Sequence, residues 1–104
     1  MAIQYADDES FKEQIKEGFV IVDFFSTTCA PCKAFSRILE ELDAELPFIH
    51  IVKVNTTDYP KLAKENRIFA VPTVQFYKDG EKKYENVGVM EVEEIKKKIT
   101  EFMY

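Results

Sequence analysis

A chain of 104 residues can bury one hydrophobic core but not two. Its 46% apolar and 32% charged content is ordinary for a globular domain. A net charge of −5 without a basic stripe argues against nucleic acid as a partner, and no apolar run approaches the roughly 20 residues of a membrane span. The basic run Lys96-Lys97-Lys98 is flanked by Glu93, Glu94 and Glu101, which reads as a charge-paired helix face. The N-terminus has no basic region followed by an apolar one. Together with the initiating Met, this leads us to expect an unprocessed cytoplasmic protein.

In chain order, Ala2 to Tyr5 fits a short first strand. Asp7, Asp8 and Ser10 offer N-caps for a helix to about Glu17, stopped at Gly18. Phe19 to Phe25 is nearly continuous apolar, the pattern of a central parallel strand covered on both faces. From Cys32 to about Leu46 the apolar residues Phe35, Ile38, Leu39, Leu42 and Leu46 repeat every three or four positions, as in an amphipathic helix. Pro31 sits in its first turn and Pro47 ends it. Phe48 to Val54 reads as a second buried strand. Asp58 and Pro60 open a short helix through about Asn66.

Thr73 to Tyr77 is the next strand. Asp79-Gly80 turns it into a hairpin whose second arm runs from Lys82 to about Val87. Glu91 to about Phe102 is a last helix. The order β-α-β-α-β-α-β-β-α predicts a single α/β domain over residues 1–104, with a mixed sheet between helices.

The two cysteines of the chain, Cys29 and Cys32, stand two residues apart between the apolar strand and the helix. A CxxC in an alternating strand and helix pattern reads as redox-active. Orphan N–H groups at a helix start favour an anion, so Cys29 is expected as the nucleophilic thiolate. Cys32, about one turn in, is expected to be more buried and to resolve. The competing readings are structural thiols or half of a zinc site. The latter lacks ligands, since the remaining soft ligand, His50, is assigned no role. Asp23, six residues before Cys29, puts a carboxylate in a buried strand, where its pKa should rise. The alternative is a strand-end acid reaching water. Lys53 occupies a similar place in Ile51-Val52-Lys53-Val54 and could hold Asp23 partly ionised, or simply snorkel to the surface. Pro72 belongs at the first residue of its strand, because it cannot donate within one.

The segment Val22-Asp23-Phe24-Phe25-Ser26-Thr27-Thr28-Cys29-Ala30-Pro31-Cys32-Lys33 resembles the active-site segment of the thioredoxin family. Phe69-Ala70-Val71-Pro72-Thr73, Tyr77-Lys78-Asp79-Gly80 and Val87-Gly88 resemble its later landmarks, and the likeness covers almost the whole chain. The resemblance implies the thioredoxin fold, a central five-stranded mixed sheet flanked by four helices. It implies an attacking Cys29, a resolving Cys32, a buried acid at Asp23 with its lysine neighbour Lys53, and a cis-proline at Pro72 facing the disulfide. The backbone at Val71 would hydrogen-bond a substrate strand. Thr28, Ala30, Pro31, Ala70, Val71, Val87, Gly88 and Val89 would line the docking surface.

The implied activity is reduction of protein disulfides through a Cys29/Cys32 dithiol–disulfide cycle, with no bound cofactor. The implied partners are protein disulfides and a thioredoxin reductase, of the NADPH/flavin or the ferredoxin type, with the protein acting as a monomer. The alternatives are a disulfide oxidase or isomerase of higher potential, a non-catalytic binding module, and, more distantly, metal or iron–sulfur binding across a dimer. Cys-Ala-Pro-Cys stands where the family usually has Cys-Gly-Pro-Cys, and Thr28 and Phe25 stand where it usually has tryptophan. Ala30 adds a methyl group and Thr28 removes a large apolar contact at the docking surface. Neither touches the thiol chemistry.

Overall fold

The computed structural model describes residues 3–104, so Ala2 of the expected first strand lies outside the described residues. The elements follow as β1 (Ile3–Tyr5), α1 (Phe11–Ile15), β2 (Phe19–Phe25), α2 (Ala30–Glu45), β3 (His50–Asn55), α3 (Pro60–Glu65), β4 (Thr73–Lys78), β5 (Glu81–Val87) and α4 (Val92–Phe102). The strands form one sheet in the order β1-β3-β2-β4-β5. The middle strand, β2, runs parallel to β3 and antiparallel to β4. The expected central strand is therefore central but only half parallel. Its near-continuous apolar run reflects cover on both faces rather than strand direction.

The alternation of β2 divides the core. Phe19 and Ile21 pack with Phe35, Leu39 and Leu42 of α2 and Ile95 and Ile99 of α4. Val20, Val22 and Phe24 pack on the other face with Phe11 and Ile15 of α1 and Leu62 of α3. Because side chains alternate along a strand, Asp23 and Phe25 fall on the face that α2 and α4 cover. Ile51 packs on that same face, so Lys53, two residues on, falls there as well.

The ends of several elements differ from the sequence reading, α2 starting at Ala30 rather than Cys32, β4 ending at Lys78 rather than Tyr77 and β5 starting at Glu81 rather than Lys82. Helix α1 stops at Ile15 rather than Glu17, with Lys16 as its C-cap. The Asp7 carboxylate accepts from the N–H groups of Glu9 (3.0 Å) and Ser10 (2.7 Å), so the capping acid sits before a turn that precedes the helix. Strand β3 starts at His50, and Phe48, expected inside a buried strand, is 68% exposed. At the hairpin, Asp79 (φ 51°) and Gly80 (φ 84°) both adopt positive φ, as a two-residue turn requires. Asp79 Oδ1 also accepts from Gly18 N–H at 2.8 Å, tying the hairpin to the loop before β2. In the basic run, Lys96 pairs with Glu93 and Glu45, and Lys98 with Glu101.

Candidate active site

The loop between β2 and α2 presents both cysteines. Cys29 is the N-cap of α2, with extended backbone, and its sulfur accepts a hydrogen bond from Cys32 N–H at 3.1 Å. Ala30 and Pro31 form the first turn, where a missing N–H costs nothing. The two cysteines are joined as a disulfide, with their Cα atoms 5.2 Å apart. They are not equivalent. Cys29 is half-buried, whereas Cys32 is 3% exposed beneath the helix start. A sulfur at a helix N-terminus, with a backbone N–H pointed at it, is placed to carry negative charge once reduced.

A second segment closes over this sulfur. Pro72 is buried immediately before β4, and the Val71–Pro72 bond is cis. The Val71 carbonyl oxygen stands 3.7 Å from Cys29 Sγ. Gly88 donates its N–H to the Pro72 carbonyl at 2.8 Å, and Val87 lies in register with Thr73. Gly88 needs its lack of a side chain, because its φ is +102°. The geometry therefore assembles one surface from three distant pieces of sequence. Thr28, Ala30, Pro31, Ala70, Val87 and Val89 are exposed on it, and Val71 and Gly88 are half-buried. Phe69, in the quoted motif but given no role from sequence, is 88% exposed. Its position one residue before Ala70 is the cue the sequence offers, whereas its exposure is set by the fold.

Beneath the disulfide lie two buried ionisable side chains. Asp23 is fully buried (0% exposed), which removes the solvent-reaching alternative. Lys53 is its register partner across the β2–β3 pair, and its Nζ lies 3.7 Å from Asp23 Oδ2. The lysine side chain is buried as well, so it does not snorkel to the surface. Neither Asp23 oxygen has a hydrogen-bond partner. The Lys53 ammonium instead donates to Ser36 Oγ at 2.6 Å and stands over the rings of Phe25 (5.1 Å) and Tyr5 (6.0 Å). Burial pushes the Asp23 carboxyl up to about 7, against the opposing pull of Lys53. Ser36 follows Cys32 by one helical turn, so both face the same way from α2. A cleft of about 210 Å³ is lined by Cys32, Ser36, Lys53 and Phe25, among others. Sequence reasoning missed Ser36, because a lone serine inside a helix carries no pattern.

His50 is half-buried at the start of β3, away from these groups in sequence register. Among the described residues, no group of three or more His, Cys, Asp or Glu side chains is placed to hold a metal ion. No helix among them is long and apolar enough to cross a membrane.

The reactive atoms offered here are two sulfurs that interconvert between dithiol and disulfide, and this defines the molecule as a thiol–disulfide oxidoreductase. Comparison with known proteins agrees. The thioredoxin family profile matches residues 2–101. A thioredoxin of Chlamydia trachomatis is 35% identical, over 94% of this chain and 96% of its own. A Bacillus subtilis thioredoxin is 38% identical, over 85% of this chain and 86% of its own. A solved chain from a study of thiol resolution in yeast mitochondrial 1-Cys peroxiredoxin via glutathione/thioredoxin systems superposes with a TM-score of 0.86. It is 27% identical, over 97% of this chain and 96% of its own. The chain belongs to the thioredoxin family and has the thioredoxin fold. It is a protein-disulfide reductase that works through the redox-active Cys29–Cys32 disulfide.

Proposed function

We propose that Cys29 attacks and Cys32 resolves, within a single functional domain. The reduced Cys29 thiolate attacks one sulfur of a substrate disulfide. A Cys29–substrate disulfide forms and the other substrate sulfur leaves as a thiolate. Cys32 then gives its proton to Asp23, and the new thiolate attacks Cys29 Sγ. The Cys29–Cys32 disulfide forms, and the second substrate sulfur leaves reduced. Two electrons pass from the dithiol to the substrate. The observation that carries this direction is the asymmetry at the helix start, with Cys29 half-buried as N-cap and Cys32 3% exposed. A protein substrate can reach only the first of the two.

Asp23 suits the acceptor role because a pKa near 7 matches the working pH of a general base. Lys53 tempers that value through its charge. Pro72 and Val71 form the wall against which an extended substrate segment docks, with the Val71 backbone as its hydrogen-bonding partner. Thr28, Ala30, Pro31, Ala70, Val87, Gly88 and Val89 complete the surface. The cycle closes when a thioredoxin reductase, flavin- and NADPH-dependent or ferredoxin-dependent, reduces the disulfide again. We place the protein in the cytoplasm as a monomeric electron carrier. The similarity to bacterial thioredoxins supports the electron-carrier part of that reading.

The test is insulin reduction with a chemical reductant, run beside the Cys29→Ser and Cys32→Ser variants. Cys29→Ser should lose activity, while Cys32→Ser should accumulate a mixed disulfide with substrate. Trapping at Cys32 in the Cys29→Ser protein, with none at Cys29 in the Cys32→Ser protein, would reverse the assignment.

A further inference from the structure

The position of the Lys53 ammonium needs a cause. It is the cross-strand partner of Asp23, both side chains are buried, and their charges are opposite. A direct charge-assisted hydrogen bond would be the strongest contact open to the pair. It is not made. The nearest oxygen is 3.7 Å away, and both Asp23 oxygens are left without a donor. Such a carboxylate is costly, because a buried acceptor without a partner bears its full desolvation. The ammonium spends its short contact on Ser36 Oγ at 2.6 Å, under the rings of Phe25 and Tyr5.

We infer that Ser36 is a positioning residue of this site: its hydroxyl holds the Lys53 ammonium out of hydrogen-bonding reach of Asp23, leaving the carboxylate free to take the Cys32 proton. The inference rests on the acceptor role of Asp23 proposed above and adds the group that controls it. A carboxylate bonded directly to an ammonium is a weaker base, because the bond stabilises its charged form. Held at 3.7 Å, Lys53 still attracts the charge but satisfies neither lone pair. Desolvation then dominates and the proton affinity of Asp23 stays high.

The placement of Ser36 serves this purpose. It stands one turn after Cys32 on α2, on the face turned to the sheet. With Lys53 it lines both the 210 Å³ cleft beside Cys32 and a neighbouring cleft with Ile3, Tyr5 and Glu40. Asp23 itself lines neither cleft. The titratable groups around the pair are Lys53 from β3, Cys32 from α2, Tyr5 from β1, and Lys33 and Glu40 at the cleft rims.

The test uses Ser36→Ala and Ser36→Thr in the full chain. Asp23 is titrated by carboxyl NMR in the disulfide form, where the cysteines do not titrate and cannot couple to it. Alanine is a good helix former, so the first variant should fold. Removing the hydroxyl should let Lys53 close on Asp23 and lower its midpoint by about one unit. Threonine, which keeps the hydroxyl, should restore it. In the reduced proteins, the acidic limb of the mixed-disulfide resolution rate should move to lower pH by the same amount in Ser36→Ala. An Asp23 titration unchanged in Ser36→Ala overturns the inference, as does one that moves equally in Ser36→Thr. Asp23→Asn separates the two levels. If its resolution rate keeps the wild-type pH profile, the acceptor role of Asp23 fails, and the titration result still decides whether Ser36 governs Lys53.

Discussion

The two sides of the disulfide differ in every physical respect. Below it, Asp23, Lys53 and Ser36 lie between the sheet and α2, with the Lys53 ammonium 2.6 Å from Ser36 Oγ and 3.7 Å from Asp23 Oδ2. Above it, Ala30, Pro31, Phe69, Ala70, Val87 and Val89 lie open to solvent. The lower side is closed by packing and holds the groups proposed to handle the Cys32 proton. The upper side tolerates change, because an exposed residue costs little to replace. Of the departures from the family pattern, Thr28 and Ala30 belong to the upper side, whereas Phe25 lies on the lower, its ring 5.1 Å from the Lys53 ammonium.

The comparison can be broken at the seam. Cys29→Ser should reduce insulin reduction by at least about 1000-fold, because Cys32, the other cysteine, is only 3% exposed. Its melting temperature, compared with that of the reduced wild type, should change little. A variant that keeps measurable turnover would remove the division of labour between the sulfurs.

The lower side is tested through its pH dependence. The folded-state midpoint of Asp23, about 7, lies above its unfolded value of 3.8. The native state therefore binds more protons than the unfolded chain between these values, and stability falls as pH rises from about 4 to 7. Asp23→Asn removes that titration. Urea unfolding of the disulfide form should show the variant more stable than wild type at pH 8, by about 2–4 kcal/mol, and nearly equal to it at pH 4. Equal gains at both pH values would mean that the buried charge is not the source. The same variant should slow mixed-disulfide resolution by about 100-fold at pH 7, at the low end of general-base effects.

The upper side calls for smaller effects of another kind. Phe69→Ala should lower kcat/KM for a protein disulfide about 3- to 10-fold, through KM, and leave a small aromatic disulfide unaffected. Its stability should stay within about 0.5 kcal/mol of wild type, since the ring is 88% exposed. An equal loss with both substrates would show that Phe69 serves the chemistry rather than docking. Smallest of all, Ala30→Gly should change kcat/KM with a given reductase by about 2-fold, because it removes one methyl group from the docking surface. The sign of the change identifies whether that methyl group obstructs or contacts the partner.

How much of this was legible beforehand varies with how local its cause is. The β2 run, the heptad-like spacing of α2 and the Asp79-Gly80 turn are short-range patterns, and each element appears where those patterns place it. The ends drifted where a cap or a packing limit decided, as at Ile15 and His50. Cys29 and Cys32 announced themselves by spacing, and Asp23 by being a carboxylate in an apolar strand.

By itself, then, the sequence determined the dithiol, the buried acid and the alternation of strands and helices, because each depends on neighbours along the chain. Tertiary structure alone decided that β2 pairs antiparallel with β4, that the Val71 carbonyl stands 3.7 Å from Cys29 Sγ, and that Lys53 bonds Ser36 rather than Asp23. These depend on residues 17 to 59 positions apart being brought within a few ångströms. No local propensity encodes such a distance. It is fixed only when the sheet register and the seat of α2 are settled together.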